Sequence, residues 1–488
     1  MSAAASVERF PTRLVVGGEL VESTSGESFS VVNPATEEVL ASVAEAGAAD
    51  VDAAVRSALE TFESAAWRAT SARARGEMLY RLGELCLRDI DQLARLETLN
   101  NGKPVMESAI DVRLTAQTFK YYGGWADKIH GETIPVDGAF LNYTLREPLG
   151  VVGAIVPWNF PLSLASWKIG PAIACGNTVV LKPAELTPFT ALKLAELALE
   201  AGFPPGALNC IPGKGSVAGA ALVRHPDVAK IAFTGSTEVG REIMREGAAT
   251  VKRVSLELGG KSPNIVFADA DLDAAAKGAL NAIFYGKGEV CAAGSRLLVE
   301  ESARPELQER ILARAKRMVA GDPLDPKTRL GAIVSAKQME RVLGYIKGAR
   351  DEGATLLSGG ERTPVNGKGY FVAPTIFGDV DAAMTIAREE IFGPVLAMLT
   401  FEGGVEGAAE LANRTIYGLA AGIWTRDIKK ALRTARAVKA GTVWINTYNM
   451  YDAASPFGGF KQSGFGRDLG AHALEGYSQV KSVWVDLS

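Results

Sequence analysis

Two successive alternations of strand-like and helix-like segments, followed by a terminal run that alternates like an edge strand, predict an α/β protein. It would hold two open, mainly parallel sheets and a small β extension. At 488 residues the chain exceeds one small core and fits two or three domains.

The opening "LVVGGELVES" reads as a hairpin turned at Gly17-Gly18. Next, "ADVDAAVRSALETFES" puts Val51, Val55, Ala58, Leu59 and Phe62 on one helical face, with Asp50 as the expected cap. In the middle third, strands are expected at 178–183, 207–211, 229–235 and 254–260, with a helix from Thr187-Pro188 to about Gly202. Such βαβ units leave the loops after each strand on one sheet edge, where open α/β sheets bind ligands. A second alternation begins near Lys261 and includes "SRLLVE", "PVLAMLTFE", "AAGIWT" and "TVWINT". Two lobes in sequence imply a cleft between them. The tail "GYSQVKSVWVDLS" alternates like an edge strand able to extend a partner's sheet.

Composition narrows the partners. Hydrophobic content of 47% and charged content of 22% suit a soluble globular chain, and a net charge of −4 gives no support to nucleic-acid or anionic-membrane binding. No apolar run approaches a membrane span, and "MSAAASVERFP" lacks the pattern of a signal peptide. Four cysteines without a CxxC suit a reducing, cytoplasmic setting. His130, His225 and His472 lie far apart, so no metal site is expected.

Four polar or glycine-rich sites fall at consecutive strand ends: Lys182 with Glu185, "PGKGSVAG", "TGST" and Glu257 before "LGGK". Gly213-x-Gly215-x-x-Ala218 fits a dinucleotide fingerprint, although no acidic residue follows at the usual distance and a glycine turn into a helix explains it equally well. Gly235 and Ser236 precede a helix whose free N–H groups would attract a phosphate, or Ser236 simply caps it. Lys182 and Glu185 would clamp ribose hydroxyls, or pair with each other at a turn. Together the four sites point to a dinucleotide. Glu257 ends a hydrophobic strand against two glycines. Burial there would raise its pKa and suit it to proton transfer near neutral pH.

"YGKGEVCAAGSR" places Cys291 among residues too small to pack a core, which suits access to a nucleophilic thiol. Cys86, Cys175 and Cys210 lie in helix- or strand-like runs and read as small buried hydrophobes.

The blocks "VPWNFPL", "GNTVVLKPAE", "FTGSTEVG", "LELGGKSPNIV", "EEIFGPV" and "SPFGGFKQSG" stand in an order and spacing that resemble the aldehyde dehydrogenase superfamily over nearly the whole chain. The resemblance implies two Rossmann-like open-sheet lobes, one cofactor-binding and one catalytic, plus a small β oligomerisation extension. It implies an NAD-binding domain at 1–125 and 148–258, a catalytic domain at 259–458, and an oligomerisation segment at 126–147 and 459–488. By the same resemblance Cys291 would be the nucleophile, Glu257 the general base and the Asn159 side chain an oxyanion donor. Lys182 and Glu185 would hold the adenosine ribose, Ser236 the pyrophosphate and Glu390 the nicotinamide ribose, while Phe392 flanks the ring and Gly215 and Gly235 count among the cofactor-binding residues. Ile155, Pro157, Trp158 and Leu258 would line the cofactor side. The substrate tunnel would be formed by Phe160, Leu164, Trp167, Tyr285, Val290, Tyr448, Tyr451 and Phe457, an aromatic set suited to a medium aliphatic or aromatic aldehyde.

Many family members read Asn-x-Gly-Gln-x-Cys where this chain has Gly286, Lys287, Gly288, Glu289, Val290 and Cys291. Glu289 is expected to raise the thiol pKa, with Lys287 offsetting it. Asp111 would greet a cationic aldehyde, but Leu114 offers no second acid one turn on, so betaine- or aminoaldehyde-type substrates rank second. A CoA-acylating relative is disfavoured by Glu257, and a non-enzymatic binding role by the intact trio. Glu185 would repel a 2′-phosphate, favouring NAD over NADP. A homo-oligomer, dimer or tetramer, is expected.

Overall fold

The computed structural model describes residues 10–488, so the reading of the first nine residues lies outside the described part. Strands rich in β-branched residues build two large sheets. The first runs in the order 464–465, 253–257, 228–234, 151–155, 178–182, 208–210, 14–16, 19–21. Its five central strands are parallel, and both edges are antiparallel. Val151–Ile155 and Thr178–Lys182 are buried along their full length, as expected when helices cover both faces. The second sheet runs 355–358, 375–378, 395–401, 296–300, 263–266, 420–424, 442–445, and is parallel except at the 355–358 edge.

A third, antiparallel sheet joins Ser478–Asp486 to Phe140–Pro148 and Thr133–Ile134. The terminal run is thus an edge strand, paired on one side within its own chain. Residues 459–488 do not all belong to this extension. Gly464–Phe465 pairs with Leu256 and Glu257 on the first sheet, so the C-terminal segment crosses back beside Glu257 before leaving.

The hairpin turns at Gly17 and Gly18, whose φ values of +61° and +82° require glycine. Asp50 is not the N-cap of its helix. The helix spans Ala48–Glu63 with Gly47 at the cap, and Asp50, at the third position, accepts from the Gly47 N–H at 2.8 Å. Val51, Val55 and Ala58 are fully buried, whereas Leu59 and Phe62 are only partly so. The helix expected from Thr187 begins at Phe189, with Pro188 as its cap, and Gly202 follows its end in the left-handed region. No helix among the described residues is long and apolar enough to cross a membrane.

Candidate active site

Cys291 follows a turn that the sequence folds in an unusual way. Gly286, Lys287 and Gly288 take φ values of +56°, +62° and +73° in succession. The small residues are there for closeness as much as for access. Gly286 to Val290 are all buried, and a Cβ on Gly288 would meet the Gly393 carbonyl at 2.2 Å. Only Cys291 itself is partly exposed. The other three cysteines are buried, and burial pushes the Cys86 and Cys175 thiols up to about 12.

Two cavities meet at this residue. The first, about 220 Å³, is walled by Pro157, Trp158, Asn159, Gly235, Ser236, Glu257, Leu258, Glu390 and Phe392. The second, about 340 Å³, contains all eight residues expected for a substrate tunnel. Among the described residues, Cys291 is the one that lines both.

Within the first cavity, Ser236 caps the helix Thr237–Gly247, its hydroxyl accepting from the Val239 N–H at 3.3 Å. The Thr234 hydroxyl beside it is buried without a partner. Glu390 accepts from the Gly260 N–H at 2.9 Å, and burial lifts its carboxyl to about 7. A Cβ on Gly259 would come within 2.4 Å of Glu390 Oε2 and displace that carboxylate. Phe392 sits at φ +62° with its carbonyl accepting from Gln338 Nε2 at 2.7 Å. A non-glycine residue held there costs about 1–3 kcal/mol, a strain found at ligand clamps.

Glu257 ends its strand buried, with neither carboxylate oxygen hydrogen-bonded. Burial first, and the charge of Asp468 second, raise its pKa well above the ordinary value, against the pull of Lys168 and Arg467. Lys168 and Asp468 form a buried ion pair. The Cys291 thiol is pushed up to about 12 by burial, then by Glu257 and Glu390, while the amides of Ala292 and Cys291 work the other way. Glu289 is not among the causes. Its Oε1 accepts from the Val334 N–H at 3.0 Å and its Oε2 lies 2.8 Å from Lys287 Nζ, so its charge is engaged by these groups and the larger effects on the thiol come from Glu257 and Glu390. Asn159 Nδ2 donates to the Glu289 carbonyl oxygen at 2.9 Å.

Four expected cofactor residues lie outside the lining of the first cavity. Ile155 is packed in the core. Lys182 is buried, with Nζ 3.9 Å from the exposed Glu185. Gly215 is exposed at the start of a turn, and a Cβ there would meet nothing within 4 Å, so its position does not demand glycine. Sequence reasoning also missed Gln338 and Arg341 of the first cavity. They sit on the helix Ala336–Asp351, whose amphipathic pattern shows a helix but not which neighbour its polar face meets. Asp111 lines the second cavity but is locked 2.6 Å from Lys103 Nζ.

A sequence profile described as the aldehyde dehydrogenase family matches residues 20–483. A putative aldehyde dehydrogenase of Bacillus subtilis, DhaS, is 51% identical over 97% of this chain and 96% of its own length. The solved NAD+ complex of an aldehyde dehydrogenase from Bacillus cereus superposes with a TM-score of 0.97 at 49% identity, covering 100% of this chain and 99% of that one. An indole-3-acetaldehyde dehydrogenase solved with NAD+ gives 0.96 at 46% identity, covering 98% and 97%. A match of this extent, on a chain whose cavities meet at one thiol, leaves a single assignment: the protein belongs to the aldehyde dehydrogenase family.

Proposed function

We propose that this aldehyde dehydrogenase oxidises a medium aliphatic or aromatic aldehyde to its carboxylic acid, with NAD as hydride acceptor and Cys291 as nucleophile. The observation that carries the reading is that Cys291, alone among the described residues, borders both cavities.

The first cavity suits a dinucleotide. It offers a capped helix N-terminus at Ser236, the unpartnered Thr234 hydroxyl, the Glu390 carboxylate and two aromatic rings. Trp158, Ser236, Glu390 and Phe392 would hold the cofactor there, with Lys182 and Glu185 at its adenosine end. Glu185 would repel a 2′-phosphate, which favours NAD over NADP. Bound NAD supplies the acceptor for the hydride that leaves the aldehyde carbon.

The chain's own groups do the rest. The Cys291 thiol releases its proton to solvent, the sulfur bonds to the carbonyl carbon, and the carbonyl oxygen takes the electron pair as an alkoxide. The free N–H of Asn159 and the Cys291 backbone N–H stabilise that oxygen. One such donor is worth about 3–4 kcal/mol in a transition state. When the alkoxide collapses, hydride departs and a thioester remains on Cys291. Glu257 then takes a proton from water, whose oxygen attacks the thioester carbon. The acid leaves and the sulfur is free again.

The aromatic second cavity sets the substrate class. Asp111 is committed to Lys103, so a cationic aldehyde finds no free carboxylate. CoA as acyl acceptor is disfavoured by a buried base placed beside the thiol. Exposed Val480, Trp484, Leu141 and Leu145 on the third sheet support a homo-oligomer, dimer or tetramer. Four unpaired thiols suit a cytoplasmic, reducing setting.

An aldehyde panel read by NADH absorbance, with NADP and CoA as controls, tests the proposal. Aldehyde-dependent NADH without CoA consumption supports it. Undiminished turnover in Cys291→Ala overturns it.

A further inference from the structure

The loop that carries Cys291 is braced from behind by two buried charges. Lys287 and Glu289 are each 1% exposed, with Nζ 2.8 Å from Oε2. Besides this ion pair, the Lys287 ammonium makes two hydrogen bonds. It donates to the Asn101 carbonyl oxygen at 2.9 Å and to Asn101 Oδ1 at 2.7 Å. Asn101 Nδ2 donates onward to the Trp158 carbonyl oxygen at 2.8 Å. One residue further, Asn159 Nδ2 donates to the Glu289 carbonyl oxygen, which closes a circuit back to the loop. Glu289 Oε1 ties the circuit to Val334, at the start of the segment that leads to Gln338.

Stability does not explain the arrangement. Lys287 holds a left-handed φ of +62°, a backbone conformation that strains any residue but glycine. A buried ion pair is often no more stabilising than packed apolar side chains of the same volume. What the circuit provides is geometry. It spans from the segment bearing Asn159 to the loop bearing Cys291, and it commits one N–H of the Asn159 amide while leaving the other uncommitted.

We propose that Lys287 is a positioning residue, which acts through Asn101 and Glu289 to hold the Asn159 amide in register with the Cys291 sulfur. The inference rests on the roles given above to Asn159 and Cys291. It also explains how this chain works without the Asn-x-Gly-Gln-x-Cys form: a charged brace stands in the loop instead.

Lys287→Met removes every polar contact of Nζ and keeps an unbranched stem. It is expected to lower kcat per titratable Cys291 thiol about 100-fold, the scale of a misplaced catalytic group, with KM for aldehyde little changed. The first turnover should slow by the same factor. Asn101→Ala breaks the circuit one bond further on without unpairing Lys287 from Glu289, and should show the same signature even if Lys287→Met fails to fold. A double variant, Lys287→Gln with Glu289→Gln, keeps polar atoms at both ends without net charge and should recover much of the rate. Wild-type kcat per titrated thiol in Lys287→Met or Asn101→Ala, with only a lowered Tm, would overturn the inference alone. Alkylation of Cys291 is run in parallel. If the alkylated enzyme keeps turning over, the underlying reading falls and takes this one with it.

Discussion

The Phe392 ring stands edge-on to the Trp158 indole, with centroids 5.1 Å apart and planes at 90°. Both line the cavity assigned to the dinucleotide, and Phe392 reaches its place only through a left-handed backbone. The two properties separate in mutants. Phe392→Ala and Phe392→Gly both remove the ring and should weaken NAD binding about ten-fold by fluorescence titration. Only the glycine variant relieves the backbone, so its stability in denaturant should exceed that of the alanine variant by about 1 kcal/mol. Equal stabilities would mean that the φ carries no strain.

What could be read in advance follows the range of each signal. The strand at 178–182 was legible because burial on both faces imposes an apolar, β-branched run on neighbouring residues, and the one at 253–257, exposed or half-buried over its first three residues, through its alternation. The Cys291 loop was legible as a break in that pattern, but its meaning was only half right. Its glycines answer a close approach to Gly393 and three left-handed residues, neither of which has a period. The Lys168–Asp468 pair beside Glu257 joins residues 300 positions apart, so no local pattern announces it. The direction of the Glu289 side chain is likewise a tertiary fact: the charge was visible, while the Val334 amide that turns it aside was not.

Cofactor choice should turn on Glu185. Its carboxylate is exposed and 3.9 Å from Lys182 Nζ, so it neither vanishes by burial nor is held in a tight bond. Glu185→Ser removes the like charge that a 2′-phosphate would meet. The ratio of kcat/KM for NADP to that for NAD should rise roughly ten-fold, as for the loss of one screened charge contact. An unchanged ratio would place the selectivity elsewhere.

Asp111 is structural in its energetics although it faces the substrate cavity. Lys103 lies 2.6 Å from it and 3.5 Å from Glu97, and all three side chains are buried. Burial lifts the Asp111 carboxyl to about 6 even against the Lys103 charge. Asp111→Ala should cost about 3 kcal/mol in urea denaturation by taking the nearest carboxylate from a buried ammonium. Quaternary-ammonium aldehydes should be poorer substrates of the native enzyme than neutral aromatic ones of similar size. The reverse order would show that Asp111 is free to bind a cation.

Association should depend on the sheet that ends the chain. Ser478–Asp486 has one unpaired edge, and Trp484 and Val480 are 59% and 57% exposed. Val480→Lys and Trp484→Lys place charges on that strand, which is how natural edges avoid pairing. Light scattering should show a smaller particle for the double variant, with secondary structure by circular dichroism retained. An unchanged mass would remove this sheet from the interface.

The proton economy of the thiol offers the sharpest check on Glu257. The Cys291 pKa of about 12 means that the resting sulfur is protonated at neutral pH, and the Glu257 charge is the largest cause after burial. Iodoacetamide reacts with the thiolate, so alkylation of the native enzyme should keep accelerating as pH rises through about 8 and 9 toward that value. Glu257→Gln removes one of the negative charges that oppose ionisation. The thiol pKa therefore falls, and alkylation at a fixed pH of about 8 should be faster than in the native enzyme. Turnover moves the opposite way. The variant still forms the thioester and releases one equivalent of NADH, but without a base to deprotonate water the intermediate persists. A burst near one equivalent per titrated thiol, followed by a rate about 100-fold or more below native, is the expected trace. Steady turnover without a burst would assign deacylation to another group. Unchanged alkylation would mean that the carboxyl is already neutral beside the resting thiol, and slower alkylation that Glu257 accepts the thiol proton rather than opposing its loss.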